Sequence, residues 1–163
     1  DTLMPPLSPG ELTAGIALGG VTRGLCVGAA VSLAMSPFVH LGIANPLLIA
    51  FHAVMAATML SLLGIMGAIW SEKFDHIAAV TNFVVTPLAF LSGTFYSIER
   101  LPEAARAIAH LNPFFYMIDG FRAGFIGHSD SPPLLGIAVM LGANTLLWAG
   151  CAHMFRTGYK LKS

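Results

Sequence analysis

Four stretches of this 163-residue chain are each long and apolar enough to cross a lipid bilayer. A spanning helix needs about 20 mostly apolar residues, and these run from about Ala14 to Ile43, Pro46 to Trp70, Ile77 to Tyr96 and Leu134 to Phe155. The uncharged part of the first begins at Leu25. Lipid offers no hydrogen bonds to a bare backbone, so runs of this length span as helices. The expected architecture is an all-α membrane protein forming one transmembrane domain over residues 1–163. The connections are a short turn around His40 to Pro46, a polar loop from Ser71 to His76, and a long segment from Ser97 to Pro133.

Composition agrees, with 56% hydrophobic residues, 10% charged residues and a mean hydropathy of +0.77, well outside the balance of a soluble domain. The 8 basic and 8 acidic residues cancel, and no Lys/Arg cluster offers a phosphate-tracking surface, so a nucleic-acid partner is not expected. Cys26 and Cys151 both lie in apolar stretches without metal or redox spacing, and read as small hydrophobes. The N-terminus lacks the pattern of a secretory signal. The chain begins at Asp1 and reads as a piece of a longer protein.

Short loops rich in Lys and Arg stay on the cytoplasmic side. The C-terminal tail carries Arg156, Lys160 and Lys162, which places the C-terminus inside. The Ser71 to His76 loop, the N-terminal segment and Arg23 follow it. The long segment then faces outward, where Arg100, Arg106 and Arg122 are balanced by Glu99, Glu103, Asp119 and Asp130.

Gly20, Gly24, Gly28, Ser32 and Ser36 recur every fourth residue of the first span and share one face. Ala53, Ala57 and Ser61 repeat the device on the second. Small residues let membrane helices approach closely, either as packing within one bundle or at a subunit interface. Arg23 lies beside this stripe. A charge at mid-bilayer is costly, so the expected place for Arg23 is near the interface, snorkelling to headgroups or facing a polar cavity.

Within the outer segment, Ala104, Ala105, Ile108 and Leu111 fall at helical spacing, with Glu103, Arg106 and His110 opposite and Pro102 at the favoured first position. Asn112 then reads as an N-cap and Pro113 as the first residue of a second helix rich in Phe and Tyr. Asp119 and Arg122, three residues apart, can pair on one face. Two short helices, interfacial or re-entrant, are therefore expected before the last span. An aromatic belt with no transport role fits the same pattern.

Asn82 to Arg122 carries an ordered set of features: a span containing Pro87, a Ser92-Gly93 break, Leu101-Pro102 opening an amphipathic segment, then Asn112-Pro113, an aromatic run and Arg122. The set resembles the permease subunits of ABC-2 transporters. Thr2 to Glu11 is similar to the segment following their coupling helix, Pro113 to Tyr116 with Arg122 to their signature near the last helix, and Gly158 to Ser163 to the tail of one bacterial branch. The resemblance implies the last four of six membrane helices, the first two lying outside this chain. It implies a second permease copy, a separate ATP-binding cassette subunit and the bacterial inner membrane. It also implies ATPase-subunit contacts at Thr2, Leu3, Pro5, Glu11, Glu72, Lys73 and Asp75. An extracellular gate would involve Gly93, Pro102, Asn112, Pro113, Tyr116, Asp119 and Arg122, with Gly20, Gly24 and Gly28 in helix packing.

The chain has no phosphate loop of its own, so ATP hydrolysis is expected elsewhere, and no cofactor or metal is expected. His52 and His153 belong to no His-Glu-x-x-His pair, and Ser92 lies in no Gly-x-Ser-x-Gly elbow; Ser92 reads as a helix break. A secondary transporter or channel is the alternative, but its usual intramembrane acid is missing from the spans. Asp119 is the nearest candidate, and Arg122 makes it a structural partner. Apolar, Met-rich spans suit a drug, a lipid or a lipid-linked glycan.

Overall fold

The structure, a computed structural model, describes residues 8–39, 42–70, 81–92 and 103–157. Its helices are α1 (Pro9–Met35), α2 (Pro46–Trp70), α3 (Thr86–Leu91, entered through a π-helical turn at Thr81–Val85), α4 (Glu103–Leu111), α5 (Pro113–Ile126) and α6 (Pro133–Thr157). Of these, α1, α2 and α6 are long and apolar enough to cross a membrane. The expected span from Ile77 to Tyr96 lies partly outside the described residues. Pro87 falls in the first turn of α3, so the break in this segment is the junction of the π turn and α3.

α1 starts earlier than hydropathy alone suggests because Ser8 and Glu11 form a capping box. Glu11 Nα–H donates to Ser8 Oγ at 3.3 Å, and Ser8 N–H donates to Glu11 Oε2 at 2.7 Å.

The bundle is held by small residues and a few polar ties. Ser61 Oγ donates to the Ala17 carbonyl at 3.2 Å. Gly20 lies against Ser61 and Gly24 against Ala57, where an added β-carbon would sit 3.3 Å from Ala57 Cβ. These pairs make α1 antiparallel to α2. Gly28 meets nothing within 4 Å, and Ser32 and Ser36 are exposed, so Gly20 and Gly24 of the small-residue stripe pack and the other three positions are open.

α6 runs parallel to α2. Asn144 Nδ2 donates to the Met55 carbonyl at 3.2 Å, and the Cys151 thiol donates to the Leu62 carbonyl at 3.5 Å. Since both helices point the same way, the chain between Trp70 and Pro133 must travel back along the bundle.

α5 lies antiparallel to α2. The Ala44 and Asn45 amides donate to the Gly124 carbonyl at 3.0 and 2.8 Å, Gly120 faces His52, and Phe114 shares a buried cluster with Met59 and Met140. The 14 residues of α5 therefore cover about the first half of the 25-residue α2.

The amphipathic face expected on α4 is shifted. Ala109 is its fully buried residue, packed with Phe115 and Tyr116, while Ile108 is exposed and Leu111 is 85% exposed. Small Ala109 allows close approach to the aromatic start of α5, which turns the two larger side chains outward.

Candidate functional site

Among the described residues, the buried polar side chains of Ser92, Asn112, Asp119 and Ser131 lie along α5, between α3 and α4 at its start and the beginning of α6 beyond its end. Asn112 is buried and uses its whole side-chain amide. Its Oδ1 accepts from the Phe114 N–H at 3.0 Å, capping α5, while Nδ2 donates to the Leu88 carbonyl and the Ser92 hydroxyl, both at 2.9 Å. Pro113 follows at the first helical position, where its missing N–H costs nothing. Ser92 Oγ in turn donates to the Leu88 carbonyl. One side chain thus fixes the start of α5 to the end of α3. Tyr116 ties α4 to α5 by donating to the His110 carbonyl at 3.0 Å.

Asp119 organises the far side of α5. Its buried carboxylate accepts from Arg122 at 3.2 Å, Ser129 Oγ at 2.7 Å, the Asp130 N–H at 2.9 Å, and the Ser131 N–H and Oγ at 3.1 and 2.7 Å. Arg122 also pairs with Asp130 at 2.7 Å. Gly127 makes the loop possible by ending α5 at φ 76°, a left-handed conformation that Gly adopts without steric penalty. A buried carboxylate is tolerable when its charge is both paired and hydrogen-bonded, and here the loop wraps the acid completely. The spacing of Asp119 and Arg122 gave the pair; Ser129, Asp130 and Ser131 were missed, although a Ser-Asp-Ser run just after Gly127 is a turn signal.

Beside this lock lies a cavity of about 670 Å³, lined by Asn45 just before α2, Leu48 and Phe51 of α2, Ala123 of α5, Ser129 of the loop, and Pro133 and Ile137 of α6. It is mostly apolar. Deeper between the same helices, His52 is fully buried. Its Nδ1 donates to the Leu48 carbonyl at 3.0 Å. Nε2 has no hydrogen-bond partner among the described residues and faces Gly120 and Gly136. No three metal-ligating side chains come together among the described residues. The arrangement can fix half-length helices and admit an apolar molecule; it pairs no nucleophile with a base.

Of the residues singled out from sequence, Asn112, Pro113, Tyr116, Asp119 and Arg122 fall within this one region. Gly93 and Pro102 lie outside the described residues, as do Thr2, Leu3, Pro5, Glu72, Lys73 and Asp75. Glu11 is described, and its carboxylate serves the α1 cap. Gly20 and Gly24 pack on α2, whereas Gly28 does not.

A family profile described as "ABC-2 type transporter" matches residues 2–126. The inner membrane transport permease YadH of Escherichia coli (strain K12) is 35% identical over 163 residues, which is 100% of this chain and 64% of that protein. Nodulation protein J of Neorhizobium galegae is 27% identical over 143 residues, 86% of this chain and 52% of that protein. The chain thus spans less than two thirds of the length of these relatives. No solved structure matches it.

Proposed function

This chain belongs to the ABC-2 type transporter family, and we propose that it forms part of the membrane pathway of an ATP-driven exporter. The reading is a multi-pass permease of the inner membrane, supported by its apolar helices and by the similarity to an inner membrane transport permease. The observation that carries it is α5, a helix about half as long as α2, folded back along α2 and α6 and fixed by Asn112 at one end and Asp119 near the other. Irregular backbone at membrane depth survives where protein packs around it, which suits a re-entrant element capping the outer end of a pathway.

The parallel course of α2 and α6 supports a fourth crossing between Trp70 and Pro133. With the C-terminus cytoplasmic, the Asp119 lock and the 670 Å³ cavity belong to the outer side. Gly93, Pro102, Asn112, Pro113, Tyr116, Asp119 and Arg122 then form the extracellular gate. The N-terminal residues Thr2, Leu3, Pro5 and Glu11, with Glu72, Lys73 and Asp75, receive a separate ATP-binding subunit. Closure of that subunit tilts the helices as rigid bodies and opens the space between two permease copies. A hydrophobic or amphipathic cargo fits the apolar surfaces, whether drug, lipid or lipid-linked glycan.

Inside-out membrane vesicles carrying the full-length parent and its ATP-binding partner test this. ATP should drive uptake of at least one dye-labelled amphiphile from a panel. Uptake that ignores ATP and follows an imposed proton gradient would replace the proposal with a secondary carrier.

A further inference from the structure

Three helices close around one imidazole. His52 of α2 is fully buried, with Gly120 of α5 against its ring, Gly136 of α6 facing Nε2 and Phe51 edge-on at a centroid distance of 5.1 Å. The Leu48 carbonyl, 3.0 Å from Nδ1, can accept and not donate, so it holds the proton of the neutral ring on Nδ1. Nε2 is thereby a bare acceptor, and it has no hydrogen-bond partner among the described residues. A buried acceptor left unmet is costly. Because the ring is enclosed, nothing added around the outside of these helices can reach it while they pack this way. No acid stands by to charge the ring: α2 and α6 contain none, and the Asp119 carboxylate of α5 is turned to Arg122 and the loop.

Nε2 also has space in front of it. Outside its own helix, a β-carbon added to Gly136 would meet one heavy atom within 4 Å, and that is Nε2 at 3.8 Å. A group the size of a methyl or hydroxyl therefore fits there without crowding. The cavity of about 670 Å³ ends close by. Leu48 and Phe51 of its wall are four and one positions before His52, Ala123 is three after Gly120, and Pro133 and Ile137 bracket Gly136. One helical turn, about 5 Å, thus separates the wall from Nε2, and Gly136 puts no side chain in the way. The second unmet buried atom among the described residues, Asn144 Oδ1, is again an acceptor, about two turns further along the same buried face of α6. Both atoms call for a donor, and neither suits an anion.

We propose that the cavity beside the Asp119 lock binds a neutral alcohol, its apolar body in the cavity and its hydroxyl donating to His52 Nε2 in the space left by Gly136. The hydroxyl supplies the donor that the surrounding helices lack. A ketone, an ether or a carboxylate of the same shape brings no proton and gains nothing there. This deepens the exporter reading by naming the ligand class, and it rests on that reading for treating the bound alcohol as cargo.

The test uses the full-length parent in phosphatidylcholine nanodiscs, with any ATP-binding partner retained. The probes are octanol carrying a diazirine and the methyl ether of the same molecule, which share an apolar body and differ in the donor. Photolabelling at Leu48, Phe51, Ala123 and Ile137, normalised to total incorporation, should favour the alcohol by about tenfold. His52→Phe removes the acceptor, and Gly136→Ala places a methyl where the hydroxyl would lie. Each should bring the alcohol down to the level of the ether, while ether labelling stays close to that of the wild type. Equal labelling by alcohol and ether in the wild type, the result expected if water occupies the space, overturns the site. A preference for the alcohol that survives either substitution overturns it too.

Gly136→Ala keeps an ordinary contact distance to Nε2 and replaces a helical glycine by a better helix former, so it carries the test should His52→Phe not fold. The wild-type comparison needs no variant at all. Capture of an ATP-binding partner in the same preparations reports on the exporter reading alone, because labelling of the cavity does not depend on hydrolysis.

Discussion

The Asn112 side-chain amide donates to the Ser92 hydroxyl at 2.9 Å while its oxygen caps α5 through the Phe114 N–H at 3.0 Å. One buried residue therefore both starts the half-length helix and ties it to the end of α3.

These two tasks separate by substitution. Asn112→Asp keeps the capping oxygen and loses the donor to Leu88 and Ser92, whereas Asn112→Ala loses both. A lost cap costs about 1 kcal/mol, and each buried acceptor left without its donor adds roughly 1–3 kcal/mol. Thermal unfolding of the purified parent should rank wild type above Ser92→Ala and place Asn112→Ala lowest. Equal melting temperatures for Asn112→Ala and wild type would contradict the role given to this amide.

For Asp119 the prediction is an asymmetry with Arg122. Asp119→Asn turns an acceptor of five donors into a group with two N–H of its own, facing hydroxyls and amides that also donate. Breaking a buried pair from this side should cost about 3–5 kcal/mol. Arg122→Lys should cost less, because it keeps the positive charge beside Asp119 and Asp130 while Ser129, the Asp130 N–H and Ser131 still donate to Asp119. Denaturation in detergent checks the order, and a larger loss for Arg122→Lys would contradict it.

Gly120 and His52 should be coupled. A β-carbon on Gly120 would fall on the His52 ring, and overpacking of this kind costs about 1–3 kcal/mol. Gly120→Ala should destabilise the parent, and combination with His52→Ala should cost less than the two changes added together. Strict additivity in a double-mutant cycle would place the glycine's effect elsewhere.

Much of this arrangement was legible in the sequence. The bounds of α2 and α6 followed from apolar length, and the Asn112 cap with Pro113 from local chemistry, because both signals are carried by adjacent residues. The Asp119 and Arg122 pair followed from a three-residue spacing. Ser129 and Ser131 did not, since their contact with Asp119 depends on how Gly127 turns the chain. The burial of Ala109 in place of Ile108 and Leu111 was hidden for a similar reason: which face of a helix meets its neighbour is decided by the partner. Residues Ser8 and Glu11 carried a readable capping box that hydropathy overshadowed.

The small-residue stripe gives a further contrast. Gly20→Ala must push Ser61 aside, whereas Gly28 has open space around it. Helix propensity alone favours Ala over Gly by about 1 kcal/mol. Within the bundle described, Gly28→Ala should be neutral or stabilising and Gly20→Ala destabilising. Melting temperatures of the two variants decide this. A marked loss for Gly28→Ala would mean that a helix beyond those described packs on that face.

The central claim, that this chain belongs to an ATP-driven permease, is tested most directly by affinity capture of the full-length parent from native membranes, with the captured complex identified and its ATP hydrolysis measured. The account predicts a stoichiometric partner carrying a phosphate-loop motif and hydrolysis that depends on that partner. An intact, dimeric parent with no such partner and no hydrolysis would contradict it.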